Sequence, residues 1–270
     1  MKVALVAALP MYEFPWTADA QDELWTSIAG RLRRAGLAAP DALTRGRAPE
    51  EVWRDPALVF GQTCGYPYVT ALQRRVALIA TPSYGFEGCE GAGHRSFIVA
   101  RRDDERRDLR AFRSARAALN ALDSNTGMNL FRAALAPLAG GEPFFASVEV
   151  AGSHVASLGA IVEGRADVAA IDCVTFALLQ RGRADLTGAV KIVARGALAP
   201  GLPFIASARL NPAAVEAVRA SLFATLDDPA LAAARRTLGL VGAAKLGPRD
   251  YAPIVELERE AVRLGYPELA

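Results

Sequence analysis

Apolar and polar positions follow two rhythms along this chain. Short apolar runs recur between longer stretches whose apolar positions fall three and four apart. The short runs predict strands at 3–9, 58–61, 76–80, 96–101, 115–119, 144–150, 168–171, 190–195 and 204–207. The longer stretches predict helices at 18–35, 68–74, 126–138, 153–163, 175–181, 212–225, 229–238 and 253–264. Strands alternating with helices imply an α/β fold. Turns from strand to helix carry Pro10, Gly65, the run 124–127 and Gly152-Ser153, and such turns are where open α/β sheets hold ligands.

Two stretches read as crossings between lobes. One is the apolar strand at 96–102, between the Gly-rich 85–93 and the charged 101–110. The other is 198–207, where Pro200, Gly201 and Pro203 precede a short strand. The expected division is lobe one at 1–97 plus 203–270, with lobe two inserted at 98–202. The run 101–110 interleaves Arg with Asp and Glu and reads as a solvated face.

Composition narrows the classes. A hydrophobic fraction of 52% with 22% charged residues excludes disorder and coiled coil for the whole chain. A net charge of +2 gives no electrostatic case for nucleic acid or a membrane surface. Cys64, Cys89 and Cys173 lie far apart in sequence, with no C-x-x-C pair, which argues against a disulfide framework. With only His94 and His154, a histidine-rich metal centre cannot be built. The start of the chain imitates a signal peptide's charged and apolar regions. It reads instead as a buried first strand, so no export signal is expected.

Five stretches can carry chemistry. In 118–131 an apolar strand ends in Ser124-Asn125-Thr126-Gly127, which opens an amphipathic helix. Ser124 or Asn125 can cap it, and first-turn amides with two hydroxyls make an anion pocket. A plain capped helix would look the same. In 148–162, His154 stands in the first turn of a helix, where its imidazole can donate to an oxyanion or serve only as a surface residue. In 164–175 a buried strand runs into Asp172, a carboxylate that can accept from a ligand or cap the next helix. Tyr12 and Tyr66 follow the first two strands, each offering a flat apolar wall with a hydroxyl tip, or a loop anchor.

Taken together and in order, these stretches resemble the phosphate/phosphonate (phosphite) substrate-binding proteins of ABC transporters, a branch of the type II periplasmic binding proteins. The similarity is strongest in 58–68, 85–101, 122–131 and 151–177, and the closing Pro200-Gly201-Leu202-Pro203-Phe204 resembles the family's return strand. The resemblance implies two mixed sheets flanked by helices, in two lobes joined by two hinge strands and closing on a small anion. Ser124, Thr126 and Gly127 would hold the oxyanion, with Asn125 where a hydroxyl residue is usual. His154 would lie on its other side, Tyr12 and Tyr66 would form the first-lobe wall, and Asp172 would face the ligand near the hinge. No cofactor, metal or catalytic residue is implied. The implied partners are an ABC permease and ATPase, the implied state a monomer, and the implied location the periplasm. The expectation of no export signal leaves a cytoplasmic location, or a removed leader, open.

Three rivals remain. Ser124, His154 and Asp172 are nominally a hydrolase triad, though no G-x-S-x-G elbow is present. Cys89, Glu90 and His94 lie in one Gly-rich loop without the spacing of a structural zinc site. A cytosolic protein of the same fold, acting as a biosynthetic enzyme or a small-molecule sensor, is the alternative function.

Overall fold

Runs rich in Val, Ile, Leu and Ala form two five-stranded sheets, each belonging to its own unit of the chain. The computed structural model describes residues 4–270. The first unit runs to Gly85 and takes in Gly201–Asp250, while the second is Phe86–Pro200 with Tyr251–Ala270.

In the first unit the sheet order is Val6–Ala8, Leu58–Gln62, Phe204–Ser207, Val76–Tyr84, Leu240–Ala244. The first pair is parallel and the others antiparallel. Leu58–Gln62 is buried at every position, which explains its apolar run Leu58-Val59-Phe60. The helix Ala18–Arg34 buries Leu24, Trp25, Ile28, Ala29 and Leu32, a stripe at helical spacing. Arg31, Arg33 and Arg34 sit in its last turn, where the helix dipole favours cations. Trp25 stacks on Phe60 at 5.9 Å and Phe60 on Phe204 at 5.0 Å, so the stripe locks onto the sheet. Burying each such ring contributes about 1.5–3 kcal/mol.

The second sheet has the order Ser147–Val150, Arg116–Leu119, Val168–Asp172, Ser96–Arg101, Val190–Arg195. Its first three strands are mutually parallel along the sheet and its last two pairings antiparallel. Phe131, Phe144 and Phe145 pack edge to face or tilted within its core, together with Ala261 and Tyr266.

Those last two residues bear on the expected division. The sequence assigned all of 203–270 to lobe one, whereas Tyr251–Ala270 is part of the second unit. The carbonyls of Ile254 and Pro267 accept from Asn129 and Arg132, and Ala261 lies in the second core. Long-range hydrogen bonds, invisible to local pattern, assign the helix Ala252–Arg263.

Other elements shift for local reasons. The expected strand 3–9 is Val6–Ala8, and residue 3 lies outside the described residues. The expected strand 144–150 shortens to Ser147–Val150, because Phe144 and Phe145 turn into the core first. The expected helix 68–74 is a short turn, Gly65–Pro67, followed by a wide turn, Tyr68–Leu72. Leu240–Ala244 escaped the pattern: with Val241 exposed and Gly242 in the middle, it lacks the apolar run of a buried strand. The short helices Pro49–Trp53 and Ala184–Gly188 were also missed. No helix among the described residues is long and apolar enough to cross a membrane.

Candidate functional site

Three parallel strands of the second unit end along one edge. The register pairs Leu119 with Val150 and Ala118 with Ala169, so the strands reach their carboxyl ends together. Each then enters a helix through a side-chain cap. Ser124 Oγ accepts from Gly127 N–H at 3.0 Å, Ser153 Oγ from Ala156 N–H at 3.1 Å, and Asp172 Oδ1 from Thr175 N–H at 2.8 Å. Three helix starts therefore gather at one sheet edge, each with amides that have no carbonyl one turn earlier.

The start after Ser124 is unusual. Asn125–Asn129 forms a wide turn, in which Asn129 N–H reaches back to the Ser124 carbonyl at 3.0 Å, before the α-helix Leu130–Ala139 continues. Ser124, Asn125 and Thr126 are all buried. Ser96 Oγ donates to the Thr126 carbonyl at 2.6 Å from the strand Ser96–Arg101, which lies beyond Val168–Asp172 in the sheet. Behind the turn, Asn129 Nδ2 donates to Asn125 Oδ1 at 3.2 Å and to the Ile254 carbonyl at 3.0 Å. Arg132, itself buried, donates to Asn129 Oδ1 at 2.8 Å and to the Pro267 carbonyl at 2.6 Å. This chain of bonds fixes the turn from its inner side.

Gly127 has a steric reason to be glycine. A Cβ there would lie 1.7 Å from Asn120 Oδ1 and 3.1 Å from His154 Cε1. Asn120 and His154 thus rest directly on this backbone. Gly127→Ala must drive Asn120 aside, a local overpacking of about 1–3 kcal/mol. A melting point lower by several degrees and anion affinity reduced about tenfold or more are expected. Unchanged calorimetric affinity with an unchanged melting point would contradict this close packing.

His154 opens the helix His154–Val162, and its Nε2 lies 3.3 Å from Thr126 Oγ1. Burial pulls its pKa down to about 4, while the charge of Asp172 and the Ala170 carbonyl favour the charged form without overcoming that loss of water. The ring is therefore neutral at pH 7, with one donor and one acceptor nitrogen.

His94 behaves in the opposite way. Burial pulls its pKa down, but Asp172 Oδ2, 2.8 Å from Nδ1, outweighs that by hydrogen bond and charge and leaves it raised. Burial likewise pushes Asp172 up, and the charges of His94 and His154 with the His94 and Thr175 hydrogen bonds hold it below the ordinary carboxylate value. The two form an ion pair whose side chains are 2% and 3% exposed. Both Asp172 oxygens are thus engaged inside the protein, one by the Thr175 amide and one by His94.

The hydrolase and zinc readings lose their parts to these pairings. The Ser124 hydroxyl takes the Gly127 amide, His154 meets Thr126, and Asp172 pairs with His94, so nucleophile, base and orienter do not line up. Of the supposed metal ligands, Glu90 pairs with Arg95 and Cys89 Sγ lies 3.5 Å from Cys173 Sγ.

In the first unit, Tyr12 ends the turn Pro10–Tyr12 and is buried. Its ring meets Tyr84 edge to face, with centroids 5.5 Å apart. Gln62 donates from Nε2 to the Tyr84 hydroxyl at 3.3 Å and to the Leu202 carbonyl at 3.1 Å. Leu9, Tyr12, Gln62 and Tyr84 line a small cavity at the ends of their strands. Tyr66 stands apart from that lining, in the turn Gly65–Pro67, with its carbonyl accepting from Thr70 Oγ1 at 2.8 Å.

Sequence reasoning missed Ser96, Asn120, Gln62 and Tyr84, and it weighed His94 only as a metal ligand, not as the partner of Asp172. Only Tyr84 carried a legible signal, as an aromatic at the end of an apolar run like Tyr12. Ser96 faces Asp172 in an antiparallel register, and no local pattern encodes that pairing.

Comparison with known proteins adds three findings. Residues 57–251 match the profile of a family described as the periplasmic substrate-binding protein of ABC phosphonate transporters. No curated protein matches the chain. Among solved structures, the binding-protein component of a Pseudomonas aeruginosa ABC phosphonate transporter superposes with a TM-score of 0.75 at 14% identity, covering 96% of this chain and 87% of its own. PhnD1 of Prochlorococcus marinus, in complex with methylphosphonate, gives 0.71 at 13% identity, covering 96% and 98%. A Xanthomonas citri protein bound to ATP gives 0.70 at 18% identity, covering 96% and 97%. At such identities these likenesses establish the fold, that of the type II periplasmic binding proteins.

Proposed function

The chain belongs to the periplasmic substrate-binding family of ABC phosphonate transporters, and from that premise we propose that it captures a small phosphorus oxyanion (phosphonate, phosphate or phosphite) for delivery to an ABC permease and its ATPase. The observation that carries the reading is the buried wide turn Asn125–Asn129, with the Ser124 and Thr126 hydroxyls beside it and a neutral His154 at 3.3 Å from Thr126. Helix-start amides and hydroxyls donate to an anion without any mobile cation. A neutral imidazole adds a donor and excludes water.

Ser124, Thr126 and Gly127 hold the oxyanion in this proposal, Asn125 shapes their turn, and His154 contacts the ligand. Tyr12 and Tyr66 contribute aromatic contacts. Asp172 acts through His94 and the helix it caps. The lobe closure and monomeric state implied by the resemblance belong to the same proposal, and capture alone requires no nucleophile or general base.

A thermal-shift panel tests the ligand class. It would hold methylphosphonate, aminoethylphosphonate, phosphate, phosphite, sulfate and small sulfonates. A ligand at about 100 times its Kd adds about 2.7 kcal/mol, a rise of several degrees. A rise with a phosphorus oxyanion and little with sulfate is expected. A response confined to sulfate or sulfonates would overturn the assignment of phosphorus.

A further inference from the structure

Cys89 and Cys173 are 84 positions apart, yet their sulfurs lie 3.5 Å from each other within the second unit. We propose that these two thiols close into an intramolecular disulfide when the protein meets an oxidising disulfide, pinning the loop that carries His94 to the helix that Asp172 caps.

The loop is built to bring them together. Gly88 has φ +88°, and a Cβ on it would fall 2.9 Å from Cys173 Cβ and from the Phe97 ring, so only glycine permits this approach. The Cys89 amide donates to the Phe86 carbonyl at 3.1 Å, and the Cys173 amide to the Arg95 carbonyl at 3.1 Å. Ion pairs of Glu87 with Arg195 and of Glu90 with Arg95 hold the loop on both sides of Cys89. A disulfide needs the sulfurs at about 2 Å, so a small side-chain movement is enough. The third cysteine, Cys64, is buried in the other unit.

Exposure sets the order of events. Cys173 is fully buried, and the Cys89 contact and burial hold its thiol well above its ordinary pKa. Cys89 is partly exposed and meets the oxidant first. Its thiolate attacks one sulfur of the oxidant disulfide, forming a mixed disulfide and releasing one thiol. Cys173 then gives up its proton to solvent, its sulfur attacks Cys89 Sγ, and the second thiol leaves and takes up a proton. The protein loses two electrons and two protons in total, and the oxidant disulfide becomes two thiols. The family is periplasmic, and oxidising compartments of that kind keep such bonds closed.

The test uses the full chain, incubated with oxidised glutathione or with dithiothreitol, then denatured and alkylated. After the reductant all three cysteines take label. After the oxidant only Cys64 should, with Cys89 and Cys173 recovered as one linked peptide pair. The oxidised form should also melt several degrees above the reduced form, and C89S should abolish that difference. In G88A, whose Cβ wedges against Cys173, the yield of linked peptide should fall. Three labelled cysteines after oxidant, a stable glutathione adduct on Cys89, or a bond to Cys64 would each overturn the proposal.

Discussion

Replacing Ser124 and Thr126 together by alanine should weaken phosphorus-oxyanion binding roughly 10²- to 10⁴-fold, at about 1.5–3 kcal/mol for each hydrogen bond to a charged group. Both hydroxyls are buried at the helix start, so an anion bound there has no water to replace them. Ser124→Ala also removes a cap to the Gly127 amide, which costs about 1 kcal/mol of stability. Ser153→Ala is the matched control. It removes an equivalent cap, to the Ala156 amide, from an exposed residue one strand away. The control should lose comparable stability and keep its affinity. Equal affinity in the double variant and the wild type would remove the helix start from the account.

The second large effect is on stability. Asp172→Ala strands His94 in the interior and uncaps the helix Cys173–Gly182, an expected loss of about 3–5 kcal/mol. Asp172→Asn keeps an oxygen for the Thr175 amide and should recover about 1 kcal/mol of that. The pH dependence separates pair from cap. His94 is raised from 6.5, so its contribution is complete below that value and is lost as pH rises through the folded pKa. Asp172 is lowered from 3.8, so its contribution is present above that value and is lost as pH falls through the folded pKa. Urea unfolding should find the gap between wild type and Asp172→Asn widest between those two reference values and narrower above the raised His94 pKa. A gap independent of pH would assign Asp172 to capping alone.

The candidate site was legible in sequence wherever its chemistry is local. Ser124, His154 and Asp172 each follow an apolar run and open a helical pattern, and the structure places them at or next to three neighbouring helix starts. Their partners were not legible. His94 reaches Asp172, and Cys89 reaches Cys173, because Ser96–Arg101 runs antiparallel beside Val168–Asp172. Sheet order is a long-range property that hydrophobic periodicity does not contain. The same limit explains why the cysteines, scattered in sequence, read as unrelated. Asp172 was expected to face a ligand or to cap the next helix; it caps that helix through the Thr175 amide, and its pairing with His94 was not legible, since a free carboxylate and a paired one look alike in sequence. In the fold, Leu240–Ala244 pairs with Thr81–Tyr84 despite a Gly-Ala sequence, because an edge position asks little of its side chains.

The most direct measurement is a calorimetric titration of the wild-type chain, unfolded and refolded to strip any carried ligand, with methylphosphonate, phosphate and phosphite. One-to-one binding of at least one of them is expected, with a Kd of about 1 µM or tighter, about −8 kcal/mol. Binding of none of the three at millimolar concentration by the refolded, cooperatively melting protein would contradict it.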